Sequence, residues 1–328
     1  MPPVKISIAM CTYNGAEFLP AQWESILSQS RRPDEIVVCD DGSSDQTRNL
    51  LERFATESSV PVTLRFNEKN LGSVKNFEQA IRLCTGEIIA LSDQDDVWRG
   101  DKLQSIEEAF IKHPAAGLVF SDAEIVDENL EPLGRRMWTE IGFEPYKQKL
   151  IARGRALEVL ITGWTVTGAT MALRSEFVNL SLPVPDGIAM IHDGWIALTI
   201  AAVAEVVAIN EPLINYRQHH KQQIGAPSRP APTEQSRGVK AAFRRRNNSA
   251  DLHNILETLE KRLLDHARSY DTRKALAFVS DYSFHLNVRA NLPQRRLNRL
   301  PRILRELLTL RYHEYANGFK SAAKDLVS

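Results

Sequence analysis

The sequence predicts an α/β protein whose core is a mostly parallel sheet flanked by helices. Short apolar runs alternate with longer segments of helical periodicity through the first third of the 328 residues, which is typical of repeated strand–helix units. In addition, a polar loop follows each of the first four apolar runs. In open sheets of this kind, ligands bind beyond the carboxyl ends of the strands, so these loops are the first place to look for a site.

Five apolar runs are predicted strands, at residues 5–10, 35–39, 62–66, 87–91 and 117–120. The segments between them, residues 16–29, 44–55, 73–83 and 101–112, carry apolar residues at helical spacing. Further along, residues 196–204 favour a helix and residues 212–215 a strand. We expect the region after the fifth strand to complete the sheet and to build the second side of the site.

The composition predicts a large α/β domain at residues 1–224, with its two halves meeting near residue 121. Residues 225–236 (GAPSRPAPTEQS) are rich in Pro and Ser and are predicted to be a linker. Residues 237–328 have helical periodicity and are predicted to be a helical C-terminal extension. This region has 19 Lys and Arg residues against nine Asp and Glu, although the whole chain has a formal net charge of zero.

Cysteine usage and hydropathy indicate where the protein works. The chain has three cysteines, Cys11, Cys39 and Cys84. Their odd number does not suit a set of disulfides and their spacing does not suit a metal site, so we expect reduced thiols. The first residues lack the features of a signal peptide, and no stretch of about 18 apolar residues occurs. These observations favour a cytoplasmic location and leave peripheral attachment to the inner face of the membrane open.

The loop after the fourth strand is acidic, with the sequence SDQDD at residues 92–96. Asp93 and Asp95 are two positions apart, and carboxylate oxygens are suitable ligands for Mg²⁺ or Mn²⁺ that bridges phosphate oxygens. The alternative is an acidic turn that caps the helix after Gly100. After the second strand, the carboxylates of Asp40 and Asp41 could accept hydrogen bonds from the base or the ribose of a nucleoside. The alternative, or an additional role, is a strand-to-helix turn with Ser44 as the helix N-cap.

Four motifs read in order resemble the donor-binding half of family 2 glycosyltransferases, which have the GT-A fold. They are ISIAMCTYNG, EIVVCDDGSSDQT, the NLG of residues 70–72 and GEIIALSDQDDVW. The resemblance is strong over residues 4–98 and extends loosely to residue 219. It implies an inverting, metal-dependent transfer from a nucleotide-diphosphate sugar, with Asp95 on the metal. The donor nucleotide contacts that it implies are Thr12, Tyr13, Asn14, Asp41 and Asp93.

Two later motifs extend the resemblance. Inversion needs one general base, which the family takes from an acidic pair at a helix start; the matching place reads His192-Asp193, so Asp193 is the candidate. The alternative is Asp193 as a helix N-cap, and the role of His192 is open. The motif YRQHH lies at residues 216–220. By similarity to related enzymes, Arg217 would contact the diphosphate, and His219 would contact the metal or the diphosphate. The alternative is that these residues form a solvated end of a strand.

The motifs HDGW at residues 192–195 and YRQH at residues 216–219 make the sequence most similar to bacterial polysaccharide and O-antigen enzymes, which are often rhamnosyltransferases. The resemblance therefore implies a dTDP- or UDP-linked donor and a saccharide or lipid-linked saccharide acceptor. Other enzyme and non-enzyme classes remain as alternatives: a nucleotidyltransferase that makes a sugar nucleotide, although CTYNGAEF has no basic phosphate loop, and a non-catalytic nucleotide-binding scaffold.

The C-terminal region contains a basic amphipathic pattern, in which Arg295, Arg296, Arg299, Arg302 and Arg305 are interleaved with leucines. Such a pattern can bind an anionic membrane surface, and the alternative is a helix packed on the catalytic domain or on a partner. Nucleic acid is not an expected partner, because no recognition motif accompanies the basic residues.

Overall fold

The computed structural model describes residues 4–163, 165–220, 222 and 249–327. The chain divides into two compact units, residues 1–246 and 247–328, and each is considered by itself. The linker predicted at residues 225–236 and the domain boundary at residue 224 lie outside the described residues, so both stay predictions.

The first elements follow the predicted order, and no predicted end differs from the observed one by more than three residues. They are β1 (Ile6–Thr12), α1 (Leu19–Leu27), β2 (Glu35–Asp40), α2 (Thr47–Glu57), β3 (Val62–Phe66), α3 (Ser73–Leu83) and β4 (Ile88–Ser92). Every residue of β1 and of β4 is buried. This explains their continuous apolar runs, because a strand covered by helices on both faces has no side that meets water.

The rest of the first unit is less regular. It contains β5 (Val97–Trp98), α4 (Lys102–Lys112), β6 (Ala116–Val126), β7 (Pro132–Arg136), α5 (Met137–Glu140), α6 (Pro145–Ala152), α7 (Ala156–Leu160), β8 (Met171–Arg174), α8 (Val178–Ser181), α9 (His192–Ala201) and β9 (Glu205–Arg217). The strands predicted at residues 117–120 and 212–215 are parts of the much longer β6 and β9.

One sheet runs through this unit, with the order β3-β2-β1-β4-β8-β6-β9-β5, and β7 pairs with β6. The first four strands are parallel, and β8 lies antiparallel between β4 and β6. The register places Thr12 beside Asp40 and Met10 beside Ser92. The carboxyl ends of β1, β2 and β4 therefore meet at one edge of the sheet, and the polar loops that follow them lie together.

The second unit consists of helices: α10 (Ser249–Asp265), α11 (Arg273–Ala290), α12 (Leu300–Leu308), α13 (Arg311–Tyr315) and α14 (Phe319–Val327). A small apolar cluster of Ile303, Tyr312 and Ala322 lies at its centre. The helical extension predicted from periodicity is confirmed. In the part of the chain that the structure describes, no helix is long and apolar enough to cross a membrane.

The cysteines are free thiols, as the sequence predicts. Cys11 and Cys39 are buried in β1 and β2, and Cys84 is partly buried after α3. Burial raises the pKa of the Cys39 thiol to about 11, so this thiol stays protonated at neutral pH.

Candidate active site

A cavity of about 400 Å³ opens where β1, β2 and β4 end. It is lined by residues that lie far apart in the sequence, from the first two polar loops to the start of α9 and the end of β9. Eight predicted site residues line it: Thr12, Tyr13, Asn14, Asp41, Asp93, Asp95, Asp193 and His219. Arg217 is the predicted site residue that is not among the described lining residues.

Asn14 fixes the first loop to the second. Its backbone has φ of 48°, a left-handed conformation that Asn tolerates better than most residues. The Asn14 amide N–H donates to Ser43 Oγ at 2.8 Å, and Asn14 Oδ1 accepts from the Ser44 amide N–H at 2.8 Å. The prediction of Ser44 as the N-cap of α2 is wrong, because the helix begins at Thr47 and Ser44 is occupied with Asn14.

Asp40 ends β2 and Asp41 follows it, and the two carboxylates have different surroundings. Asp40 Oδ2 accepts from Thr12 Oγ1 at 2.8 Å, and Asp40 Oδ1 accepts from the Ser43 amide N–H at 2.9 Å. The carboxylate of Asp40 therefore stabilises the turn at Ser43 and fixes the orientation of the Thr12 hydroxyl. Sequence reasoning missed this role, although the paired aspartates were its signal.

Asp41 lies at the cavity and organises the loop after β3. Its Oδ1 accepts from Asn67 Nδ2 at 3.0 Å and from the Leu71 amide N–H at 2.8 Å, while its Oδ2 accepts from the Gly72 amide N–H at 2.9 Å. These bonds explain why the NLG segment accompanies the aspartate pair. The carboxylate fixes the loop at residues 67–72 and still has lone pairs available for a ligand.

Gln94 clamps the backbone of Tyr13, a contact that sequence reasoning missed. The Tyr13 amide N–H donates to Gln94 Oε1 at 2.8 Å, and Gln94 Nε2 donates to the Tyr13 carbonyl at 3.0 Å. A Cβ on Gly15 would lie 2.0 Å from Gln94 Oε1, so any other residue at this position would displace the Gln94 side chain. The clamp joins the first polar loop to the acidic loop and leaves the Tyr13 side chain 39% exposed at the cavity.

The acidic loop collects negative charge in a buried place. Burial, followed by the nearby Asp95 and Asp193, raises the pKa of Asp93 to about 7. Burial and the neighbouring Asp95 also raise the pKa of Asp96, whose Oδ2 has no hydrogen-bond partner among the described residues. The alternative of an acidic turn that caps α4 is wrong, because its N-cap is Asp101 and no side chain caps it.

Lys102 is a buried cation beside this loop, and sequence reasoning did not identify it. Its Nζ donates to the Ala169 carbonyl at 2.7 Å and lies 3.6 Å from the centre of the Trp98 ring. Burial lowers the pKa of Lys102 to about 7, against the opposing effect of Asp96 and Asp93. No spacing in the sequence indicates this lysine, because packing of α4 against the sheet brings it to the aspartates.

His219 and Asp95 form a partly buried pair at the cavity. His219 Nε2 lies 2.8 Å from Asp95 Oδ2, and the imidazole packs 4.5 Å from the centre of the Phe18 ring. No group of three or more His, Cys, Asp and Glu side chains is arranged to hold a metal ion within the described ranges. The pair therefore offers at most two protein ligands to a cation.

Arg217 lies behind the acidic loop. Its Nε donates to the Asp95 carbonyl at 2.8 Å, its guanidinium also donates to the Glu128 carbonyl, and it stacks 4.7 Å from the centre of the Phe18 ring. The Arg217 amide N–H donates to Asp96 Oδ1 at 3.2 Å. These contacts hold the acidic loop in place, and the predicted contact with a diphosphate stays a prediction.

Asp193 lies in the first turn of α9 and faces the cavity. Its Oδ2 accepts from the Gly168 amide N–H at 3.1 Å, and its Oδ1 accepts from the Gly194 amide N–H at 2.5 Å. The alternative of Asp193 as the N-cap is wrong, since the N-cap residue is Ile191. A carboxylate at this position is favoured by the positive end of the helix dipole.

His192 stacks on Phe77 with ring centres 4.3 Å apart, and it also lines the cavity. Burial lowers its pKa to about 3, so the imidazole is neutral at physiological pH. Its Nδ1 has no hydrogen-bond partner in the part of the chain that is described. Gly168 lies against it, because a Cβ there would be 3.1 Å from His192 Nε2.

A family model described as glycosyl transferase family 2 matches residues 7–178, which is more than half of the 328 residues. This chain is a member of glycosyl transferase family 2. The matched region includes the four donor motifs apart from Ile6 and ends before α9 and β9, so the family model does not cover Asp193 or His219.

Several curated glycosyltransferases are similar to this family 2 member. An uncharacterised glycosyltransferase of Nostoc sp. is 28% identical over 66% of this chain and 65% of that protein. WfgD of Escherichia coli, named a UDP-Glc:alpha-D-GlcNAc-diphosphoundecaprenol beta-1,3-glucosyltransferase, is 32% identical over 38% of this chain and 47% of its own. The dTDP-rhamnosyl transferase RfbG of Shigella flexneri is 28% identical over 66% of this chain and 74% of its own. The chain thus spans less than two thirds of the first two relatives.

Among solved structures, residues 1–349 of S. aureus TarS in complex with UDP-GlcNAc have a TM-score of 0.58. The alignment covers 98% of this chain and 90% of that chain at 15% identity. At this identity the similarity establishes the fold, and the predicted GT-A architecture with C-terminal helices is confirmed.

Proposed function

We propose that this family 2 member transfers a sugar from a nucleotide-diphosphate donor to an acceptor hydroxyl, with inversion at the anomeric carbon. One observation carries the proposal: a single cavity is lined by donor-loop residues, by the acidic loop and by the buried carboxylate of Asp193. A transferase needs these three parts together, because it must hold a nucleotide, offset the charge of a leaving diphosphate and activate a hydroxyl.

The donor side would bind the nucleoside. Tyr13 presents an exposed aromatic ring, and Asp41 keeps acceptor capacity beside it. A pyrimidine with an imide N–H fits an acceptor of this kind, and therefore we propose a UDP- or dTDP-linked sugar. The names of WfgD and RfbG support this choice, since one specifies a UDP-linked and the other a dTDP-linked donor. Rhamnose is among the sugars proposed.

Mg²⁺ or Mn²⁺ would be held by Asp95 with His219, and it would neutralise charge on the diphosphate. The residues fit such an ion, because Mg²⁺ in nucleotide sites commonly takes one or two protein carboxylates and completes its shell with phosphate oxygens and water. Burial, followed by the nearby carboxylates of Asp95 and Asp193, raises the pKa of Asp93, and a cation at this place would offset the negative charge of these carboxylates. Asp93 would therefore stay deprotonated once the charge is balanced.

Asp193 would act as the general base. The acceptor hydroxyl gives its proton to the Asp193 carboxylate while its oxygen forms the bond to the anomeric carbon. The bond from that carbon to the diphosphate oxygen breaks, and the electron pair leaves with the nucleoside diphosphate. His192, neutral and next to Asp193, would offer a hydrogen bond to the acceptor. A cell-envelope saccharide or lipid-linked saccharide is the proposed acceptor, and the lipid-linked acceptor in the name of WfgD supports it.

A thermal-shift screen tests the donor and the metal together. We expect UDP or dTDP with Mn²⁺ to raise Tm by a few degrees, since a ligand that binds only the folded chain stabilises it by mass action. GDP serves as the matched control nucleotide, and a chelator should abolish the shift. An equal rise in Tm with and without chelator contradicts the proposed metal dependence. If no nucleotide raises Tm, the transferase proposal is contradicted.

A further inference from the structure

A stripe of leucines is exposed on the helical second unit. Leu300, Leu304 and Leu308 are 42%, 47% and 84% exposed, and Leu297 just before them is 86% exposed. Positions four residues apart lie on one side of a helix. Leu300, Leu304 and Leu308 therefore form a continuous apolar surface on α12. Single exposed leucines are common on protein surfaces, whereas a row of them marks a contact surface.

These leucines do not belong to the apolar cluster at the centre of the unit. The inward side of α12 is formed by Ile303 and Glu306, which are both buried. Ile303 belongs to the cluster with Tyr312, and Glu306 Oε2 lies 2.7 Å from His285 Nδ1. The helix therefore has one side that faces the interior and a second apolar side that faces solvent.

The same surface is positively charged. Arg295, Arg296, Arg302 and Arg305 are exposed around the leucine stripe. Glu306 is the single acidic residue between positions 282 and 313, and it is 1% exposed and directed inward. Arginine side chains on this surface thus have no exposed acidic neighbour within that segment to offset them.

We propose that the surface formed by Leu300, Leu304 and Leu308 with Arg302 and Arg305 docks on an anionic lipid bilayer. Leucines of an interfacial helix enter the boundary between headgroups and acyl chains, and the adjacent arginines contact lipid phosphates. A helix of nine residues is too short to cross the bilayer and is suited to lie on it. The proposal is independent of the transfer reaction.

The charge argues against two other occupants. A symmetric contact with a second copy would bring two surfaces of the same positive charge together, which is unfavourable. A nucleic acid would pair with the arginines but would leave the leucine stripe exposed, because phosphate contacts do not need apolar side chains. An anionic bilayer accommodates both features at once.

Vesicle flotation of the full chain tests the proposal, with phosphatidylcholine vesicles that contain about one-quarter phosphatidylglycerol and pure phosphatidylcholine as reference. The wild type should float with the anionic vesicles and much less with the neutral ones. The double variant Leu304→Ser/Leu308→Ser should reduce the partition coefficient about tenfold or more, since both side chains lose their apolar contact. Arg302→Gln/Arg305→Gln should reduce it about tenfold at low salt and less at high salt.

The matched control is Leu264→Ser/Arg268→Gln, which changes an exposed leucine and an exposed arginine of the same unit outside the proposed surface. It should float like the wild type, and circular dichroism should be unchanged in all variants. The proposal is overturned if the wild type does not prefer anionic vesicles, if the leucine variant floats normally, or if the control is equally impaired. It is also overturned if the leucine variant converts a lipid-free oligomer to monomers in light scattering.

Discussion

The two sides of the cavity differ in how their polar groups are satisfied. On the donor side, Asn14, Asp40 and Asp41 are tied to backbone amides of the neighbouring loops. On the acidic and acceptor side, Asp96 Oδ2 and His192 Nδ1 have no partner among the described residues, and Asp93 has a pKa of about 7. The donor loops are thus held in place by hydrogen bonds, whereas the other side holds raised-pKa carboxyl groups and two buried polar atoms that lack a partner among the described residues.

The largest expected effect comes from the acceptor side. Asp193→Asn keeps the size of the side chain and can keep the bond from the Gly168 amide, but it removes the base. Sugar transfer should fall by about 10²-fold or more in a product assay with saturating donor. Asp186→Asn, at a 94% exposed carboxylate seven residues earlier, is the control and should keep full activity. Transfer by Asp193→Asn at the wild-type rate would place the base elsewhere, with Asp96 or His192 as the next candidates.

A smaller effect is expected on the donor side, where hydrogen bonds hold the loops in place. Gly15→Ala places a Cβ where Gln94 Oε1 lies, so the clamp on the Tyr13 backbone must open. Nucleotide affinity measured by calorimetry should fall on the order of tenfold, because the loop loses its bound conformation. Gly100→Ala is the matched control, since no atom lies within 4 Å of a Cβ there.

The Gly15 prediction also has an internal test. Gln94→Ala removes the same clamp from the other partner, so the double variant should bind nucleotide about as weakly as either single variant. Additive losses in the double variant would contradict the role assigned to Gln94.

The smallest effect concerns stability and pH. The folded chain holds a proton on Asp93 up to a pH of about 7, whereas an unfolded Asp loses it near pH 4. Stability therefore falls as the pH rises from about 4 to about 7, and Asp93→Asn removes this loss. In chelator, Tm of Asp93→Asn should exceed that of the wild type, and the difference should grow by about 2 °C or more from pH 5 to pH 8.

Asp186→Asn provides the reference for that comparison, because its carboxylate is exposed. A difference in Tm between Asp93→Asn and the wild type that stays constant or shrinks with rising pH means that Asp93 is not a strained buried acid.

The sequence predicts the two sides of the cavity unequally, for physical reasons. Every residue of β1 and β4 is buried and β2 is nearly so, which makes their apolar runs and the polar loops after them visible in a single sequence. The position of β8 between β4 and β6 was not predicted, because this short antiparallel strand has no periodicity that reveals its neighbours.

The site residues divide in the same way. Asp93 and Asp95 stand out because they directly follow a predicted strand, whereas Asp193 and His219 were identified through the family resemblance and are brought to them by long-range packing. Lys102 and Gln94 were missed, since a buried lysine and a backbone clamp depend on distances across the fold and not on spacing. Arg217 fits the motif, yet its guanidinium holds backbone carbonyls behind the acidic loop.

Calorimetric titration of UDP and dTDP in Mn²⁺ into Asp193→Asn and Asp95→Asn tests most directly whether separate groups hold the donor and activate the acceptor. Asp193→Asn should bind nucleotide within about twofold of the wild type, because it removes a proton acceptor on the far side of the cavity. Asp95→Asn should bind at least about tenfold more weakly, since it removes a charged ligand of the cation. Equal loss of nucleotide affinity in both variants would contradict the two-sided site, and so would full affinity in Asp95→Asn.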